Sequence, residues 1–395
     1  MRTLSYVALV AAIATPALGL ADQDKRAAQL ARKYPLVDTH IDVPYRMHDG
    51  WRDISVATPD RDFDYPRAKQ GGLDVLFMSI YAPAESEAVG EAYDLANNLI
   101  DQVEAMVYRD PDKFAMAYSV KQARANFGAG KVSFALGMEN GAPVAGSLEN
   151  LRHFYQRGIR YITLTHALAN HISDSSYDEV RYWNGLSPFG FEVVEAMNKL
   201  GMIVDVSHLS DEAFADVIKS SRAPVVATHS SARKFTPEFE RNMNDDMIKA
   251  LAENGGLIMI NFGSGFVTEK ANKYDAVYFE AYASYAERNQ LAESSPEMQA
   301  FEKTYREKQP YPFSNVADVA DHIDHVKALV GIDHVGLGSD YDGVGDSLPI
   351  GLKDVSQYPN LVAELLRRDY SEKDIEKLLG DNILRVWREV ELIAR

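Results

Sequence analysis

The chain has 395 residues, 46% of them hydrophobic and 25% charged, with no cysteine and a formal net charge of −17. That balance is globular and supports one large core. The acidic excess disfavours nucleic acid and anionic membrane surfaces as partners. The lack of thiols excludes disulfide staples and cysteine chemistry.

Residues 1–21 read as a secretory signal. Arg2 is a small positive region, Leu4 to Ile13 an apolar run, and Ala17-Leu18-Gly19 or Gly19-Leu20-Ala21 offers small residues for cleavage. The run is short for a span of ~20 residues; a retained anchor is the alternative. The segment Glu389 to Arg395 is no hydrophobic anchor. The expectation is an exported protein, periplasmic or secreted, with no stable membrane insertion after signal removal. Residues 22–395 show no further domain boundary.

Eight apolar runs follow, at 36–42, 73–82, 132–139, 159–166, 202–208, 224–229, 256–262 and 334–340. They are rich in Val, Ile, Leu, Phe and Met without clean alternation, as strands buried on both faces should be. Helical patterns separate most of them. One covers 88–109, one follows Pro188 over 189–200, and one lies over 211–220 behind Ser210. Others cover 245–253, 317–330 and 359–368, and the end of the chain predicts Glu372 to Leu379 behind Ser371, then Asn382 to Ile393. The alternation predicts an α/β fold, a (β/α)8 TIM-type barrel. The rival is an open doubly wound sheet, but no Gly-x-Gly-x-x-Gly follows the first run. The polar stretch 263–316, with Tyr274, Tyr278, Tyr282 and Tyr285, predicts extra helices over the barrel mouth or at a subunit contact, or a plain surface insertion.

Five ligand-type side chains stand where four of these runs end. His40 and Asp42 close the first, Glu139 the third, His208 the fifth and His229 the sixth. A buried charge at a strand end costs desolvation energy unless it is paired. Two carboxylates and three imidazoles suit Zn²⁺ or a similar divalent ion. His40 and Asp42, two residues apart, share one face of a strand. Glu139 has two oxygens and can bridge cations ~3.5–4 Å apart. Taken singly, each reads as well as a core histidine or an acid paired with a base; together they need a closed ring that gathers the four ends. His166 ends the fourth run and Asp340 the eighth. A free imidazole can polarise a carbonyl and a free carboxylate can shuttle a proton; Asp340 also suits a helix cap or a further metal ligand. His48, His153, His171, His322, His325 and His334 close no run and read as surface or structural, with His171 in a loop within reach of substrate.

At Val37-Asp38-Thr39-His40-Ile41-Asp42, Gly137-Met138-Glu139-Asn140-Gly141, Leu164-Thr165-His166, Trp183 to Gly190, Val204 to His208, Thr228 to Arg233, Arg241-Asn242 and Gly338 to Gly343, the chain resembles the membrane (renal-type) dipeptidases, peptidase family M19 of the metal-dependent amidohydrolase superfamily. The resemblance implies a binuclear zinc dipeptidase, with Mn²⁺ or Co²⁺ as other ions for the same ligands. His40 and Asp42 would hold one ion, His208 and His229 the other, and Glu139 would bridge the two ions, whose shared hydroxide would attack the peptide bond. It implies that His166 contacts the substrate carbonyl, Arg241 the free carboxylate, and Asp340 the amino group and the attacking water. Tolerance for a C-terminal D-residue and a homodimer belong to the same expectation. One departure is visible: Asn261 to Phe266 lacks the tyrosine that often follows this Asn-Phe pair in the animal enzymes. Alternatives are a related hydrolase of lactones, N-acyl amino acids or β-lactams, and a non-catalytic exported binding barrel.

Overall fold

The computed structural model describes residues 20–292 and 295–394. The predicted leader lies, but for its last two residues, outside the described residues. Among the described residues nine strands occur: β1 Leu36–Ile41, β2 Leu73–Tyr81, β3 Phe114–Met116, β4 Val132–Glu139, β5 Ile159–Thr163, β6 Ile203–Asp205, β7 Val226–Ser230, β8 Leu257–Ile260 and β9 Val335–Leu337. All are parallel to their neighbours, and β1 pairs with both β2 and β9 while β2 also pairs with β4. The ring β1-β2-β4-β5-β6-β7-β8-β9 therefore closes on itself as an eight-stranded (β/α)8 barrel.

Each of the eight apolar runs coincides with one barrel strand, β7 alone running one residue past its run, to Ser230. The ninth, β3, was not anticipated. It spans three residues and pairs with Val132 to Phe134 of β4, below the register where β5 begins at Leu136. It extends the edge of β4 that β5 occupies higher up. A segment this short has no periodicity to read.

The helices follow local signals. Ser187 accepts from Gly190 N ahead of Pro188–Leu200, Ser210 from Ala213 N ahead of Asp211–Ser220, and Asn244 from Asp246 N and Met247 N ahead of Asp245–Glu253. Val316–Val330, Tyr358–Arg367 and Asn382–Ile393 also fall where the sequence put them. Two helices differ. The one over 88–109 begins only at Ala92 and runs to Arg109; Gly90, at φ +76, separates it from a short helix, Ala84–Ala88. The one over 372–379 stops at Glu376 and widens into a π turn, Lys377–Asp381. There Gly380 lies so near the chain that a Cβ would meet Pro35 O at 2.2 Å. The stretch 263–316 does form helices, Ser264–Val267, Glu269–Asn289 and Pro296–Lys308. The latter two are joined by rings, with Tyr285 stacked on Phe301 at 4.5 Å and Tyr278 set edge-on to Tyr305 at 5.2 Å.

Inside the ring, Val37, Val75, Phe77, Ala135, Tyr161, Ile203, Val226 and Met259 form one cluster with Ile383, Leu384, Trp387 and Val390 of the last helix. These strand residues lie toward the strand N-termini, so Asn382–Ile393 stoppers that end of the barrel. Gly137 leaves the space Tyr161 needs, since a Cβ there would meet its ring at 1.9 Å.

One buried acid sets a pH test of the frame. Asp74, at the foot of β2, accepts from Leu36 N at 3.2 Å, and Lys69 Nζ comes no nearer than 3.9 Å. Burial pushes its carboxyl up to about 7, against the smaller opposing effects of Leu36 N and Lys69. The unfolded chain releases this proton near 4 and the folded chain near 7, so this residue's contribution to stability falls as pH rises through that window. Asp74→Asn keeps the acceptor and cannot ionise. Its melting temperature relative to wild type is expected to climb between about pH 4 and 7 and level off above. A difference that stays flat from pH 4 to 8 in thermal unfolding would refute this.

Candidate metal centre and active site

The side chains singled out from the sequence meet at the C-terminal mouth of the ring. His40 lies within β1, Asp42 directly after it, Glu139 ends β4 and His229 lies in β7. His166, His208 and Asp340 do not end strands as expected; each stands three residues beyond the last residue of β5, β6 and β9. For His208 and Asp340 the reason is backbone geometry. His208 at φ 68 and Asp340 at φ 65 are left-handed, as are Asn140 at φ 74 and Asp342 at φ 63. Side chains are turned inward by a conformation that costs roughly 1 kcal/mol or more per residue.

Glu139 is the hub. Its Oε2 lies 3.4 Å from His40 Nε2, which is also 3.4 Å from Asp42 Oδ2. Its Oε1 lies 3.2 Å from both His208 Nε2 and His229 Nε2, which are 2.9 Å from each other. His166 Nε2 stands 3.6 Å from the same Oε1. Three sets of potential donors share these atoms: His40, Glu139 and His229; Glu139, His166 and His208; His40, Asp42 and Asp340.

Protonation agrees with a cation centre. Burial alone would raise the Glu139 carboxyl, but the surrounding imidazoles hold it well below the usual carboxylate range. Burial holds His208 and His229 well below the ordinary imidazole value, with the Arg241 charge adding to the effect, so both are neutral. His40 is the exception. Burial works against it, yet Tyr161, Glu139 and Asp42 keep it well above its ordinary value. A proton on His40 Nε2 thus balances the two acids, yet that buried atom has no hydrogen-bond partner. A divalent ion in that place would satisfy the same acids and the bare nitrogens, which is the fit expected of such a group.

The other groups surround this hub. Asp340 Oδ2 accepts from Asn261 Nδ2 at 2.7 Å. Burial, with Asp42 beside it, pushes the Asp340 carboxyl up to about 8. The His166 imidazole is lowered by burial, and its Nδ1 is 3.5 Å from the Tyr81 hydroxyl. Arg241 is buried, donating to Ser230 Oγ at 2.6 Å and His229 O at 2.8 Å, with its Nε unpartnered. Among the described residues no carboxylate reaches it. Its guanidinium lies 5.3 Å from the ring of Phe266.

Of the other histidines, His322 is fully buried between Ala232 N at 3.0 Å and Val267 O at 2.9 Å, a structural role as anticipated. His171 pairs with Glu87 at 2.6 Å, outside the hub. Sequence reasoning missed the groups behind the site: Tyr161, Asp205 and Thr228 each hold a neighbour of the hub, as does Asn261. All sat inside apolar runs or recognised motifs, where nothing in residue type or spacing marks a hydrogen-bond partner.

A family profile described as "Membrane dipeptidase (Peptidase family M19)" matches residues 24–395. The chain is 36% identical over 339 residues to a dipeptidase of Aspergillus oryzae, aclJ, covering 84% of this chain and 71% of that protein. Its fold matches the crystal structure of the probable dipeptidase PvdM from Pseudomonas aeruginosa with TM-score 0.82 and 28% identity, over 94% of this chain and 99% of that one. It also matches a metallo peptidase from Rhodobacter sphaeroides, solved with a phosphinate mimic of the dipeptide L-Ala-D-Ala, with TM-score 0.74 and 24% identity, over 90% and 99% of the two chains.

Glu139→Gln preserves shape and removes the charge on which four imidazoles converge. It is expected to lower bound divalent metal and to cut dipeptide hydrolysis by more than ~100-fold, beyond the range seen when a group behind a ligand is changed. Elemental analysis and a turnover assay on the same sample would check it; full metal content with near-normal turnover would contradict it.

Proposed function

The chain belongs to the membrane dipeptidase family, peptidase family M19, and on that premise we propose that it hydrolyses dipeptides with two divalent cations, Zn²⁺ foremost. It is a dipeptide-hydrolysing metalloenzyme. In the proposal His40 and Asp42 hold one ion, His208 and His229 the other, and Glu139 both. One observation carries this: the two oxygens of Glu139 face different ligand groups, Oε2 toward His40 and Oε1 toward His208 and His229. Bound there, such a pair supplies hydroxide at neutral pH and polarises the scissile carbonyl.

The remaining chemistry belongs to the chain itself. Arg241 receives the substrate's free carboxylate, because a buried guanidinium without an acid of its own favours an anionic partner. A carboxylate fixed there leaves the bond one residue away within reach of Glu139, which selects dipeptides. His166 stands at the mouth beside Glu139 and donates to the developing oxyanion. Asp340 takes the proton of the attacking water and gives it to the departing amine; burial and neighbouring acids raise its carboxyl, which favours accepting that proton. A C-terminal D-residue is included in the proposed range, as the resemblance implies. An exported location is part of the same reading, resting on the leader-like residues 1–21. No helix among the described residues is long and apolar enough to cross a membrane.

His166→Ala is expected to lower kcat by roughly 10²–10³, measured on a good dipeptide with metal content unchanged; wild-type kcat would remove the oxyanion role. Arg241→Ala is expected to raise KM at least ~10-fold for dipeptides with a free carboxylate and to leave amidated dipeptides nearly unaffected. Equal losses on both substrate types would remove the carboxylate assignment.

A further inference from the structure

The three imidazoles proposed as ligands beside Glu139, those of His40, His208 and His229, are not backed alike. Behind His229, Thr228 Oγ1 lies 2.8 Å from Nδ1 and 2.6 Å from Asp205 Oδ2. Asp205 is fully buried and also accepts from Thr163 Oγ1 at 2.5 Å, Ser207 N at 2.9 Å and Thr228 N at 2.9 Å. A carboxylate only accepts, so the Thr228 hydroxyl proton points to Asp205. Its lone pair then faces His229, whose Nδ1 must carry the proton. That leaves His229 Nε2 bare toward Glu139 Oε1 at 3.2 Å.

Behind His40 the chain of bonds has no charge. Tyr161 OH is 2.8 Å from His40 Nδ1 and donates to Thr39 O at 3.0 Å. His40 Nδ1–H therefore donates to the phenol, and the line ends on a neutral carbonyl. Behind His208 there is nothing: its Nδ1 is buried with no hydrogen-bond partner. One imidazole is backed by a buried anion, one by a neutral oxygen, and one by neither.

We infer that Thr228 and Asp205 are positioning residues that lock His229 in its Nδ1–H form and govern the cation position shared by His208 and His229, leaving the His40–Asp42 position to Tyr161. This rests on the two-cation reading. A hydroxyl relay to a carboxylate orients the ring and strengthens the nitrogen lone pair that binds. His208, unsupported at Nδ1, has no second means of holding that position, so the two positions respond to different substitutions.

The test uses the full-length enzyme stripped of metal and titrated with Zn²⁺ against a chromophoric chelator. Wild type is expected to bind two equivalents with separate constants. Thr228→Val removes the hydroxyl at constant volume and is expected to weaken one step ~10–100-fold and leave the other within about threefold. Thr228→Ser restores it, and Tyr161→Phe weakens the other step instead. Weakening of the same step by Thr228→Val and Tyr161→Phe, or no response to Thr228→Val, overturns the inference. Fewer than two equivalents in wild type overturns the two-cation reading alone. The relay is then judged on metal-free protein by the ¹⁵N shifts of His229: an Nδ1–H ring in wild type that loses this preference in Thr228→Val supports it, and an Nε2–H ring in wild type overturns it. Should Thr228→Val not fold, Thr228→Ala carries the same comparison.

Discussion

A single carboxylate organises this molecule. Glu139 sits at the end of a fully buried strand and is faced by four imidazoles. Isolated in a protein interior, a carboxylate would cost several kcal/mol. Here its two oxygens are divided between two groups of donors, and each group comes from different strands. That division needs the strand ends to approach from around the barrel, which only a closed ring provides. The closure of β1 on both β2 and β9, the space Gly137 leaves for Tyr161, and the inward turn at His208 and Asp340 all serve the same convergence.

Charge is balanced in layers. Nearest the mouth stand Asp42, Asp340 and Glu139 with their imidazoles; behind them are Asp205 and Asp38, each fully buried. Asp38 accepts from His40 N at 3.0 Å, Ser339 N at 3.1 Å and the Tyr358 hydroxyl at 2.6 Å, and burial still pushes it up to about 6. It ties β1 to the loop after β9, and so His40 to Asp340. The acids in the rear fix backbone and ring orientation, while those in front face the reaction. The Arg241 charge is set against the hub and contributes to keeping His166, His208 and His229 neutral.

The barrel was legible because parallel strands buried on both faces leave long apolar runs, and the chain carries eight of them. The candidate ligands were legible because an ionisable residue that ends such a run stands out. Element ends were less so. His166, His208 and Asp340 looked like strand termini since Thr165, Ser207 and Ser339 continue the uncharged pattern; the hydrogen-bond ladder stops three residues earlier, where the chain turns inward. The strand Phe114–Met116 is too short to carry a period. The relay behind His229 was hidden for another reason: Asp205 and Thr228 lie on neighbouring strands, and only the register of β6 and β7 shows that they meet.

The helix Asn382–Ile393 has a consequence for traffic. Trp387 and its neighbours fill the far end of the barrel, opposite the mouth where Glu139 stands. In the proposed reading a dipeptide enters and two free amino acids leave through that mouth, where Arg241 stands against Phe266. With Arg241 in its proposed role, the carboxylate-bearing leaving half would depart last, because the guanidinium would retain it.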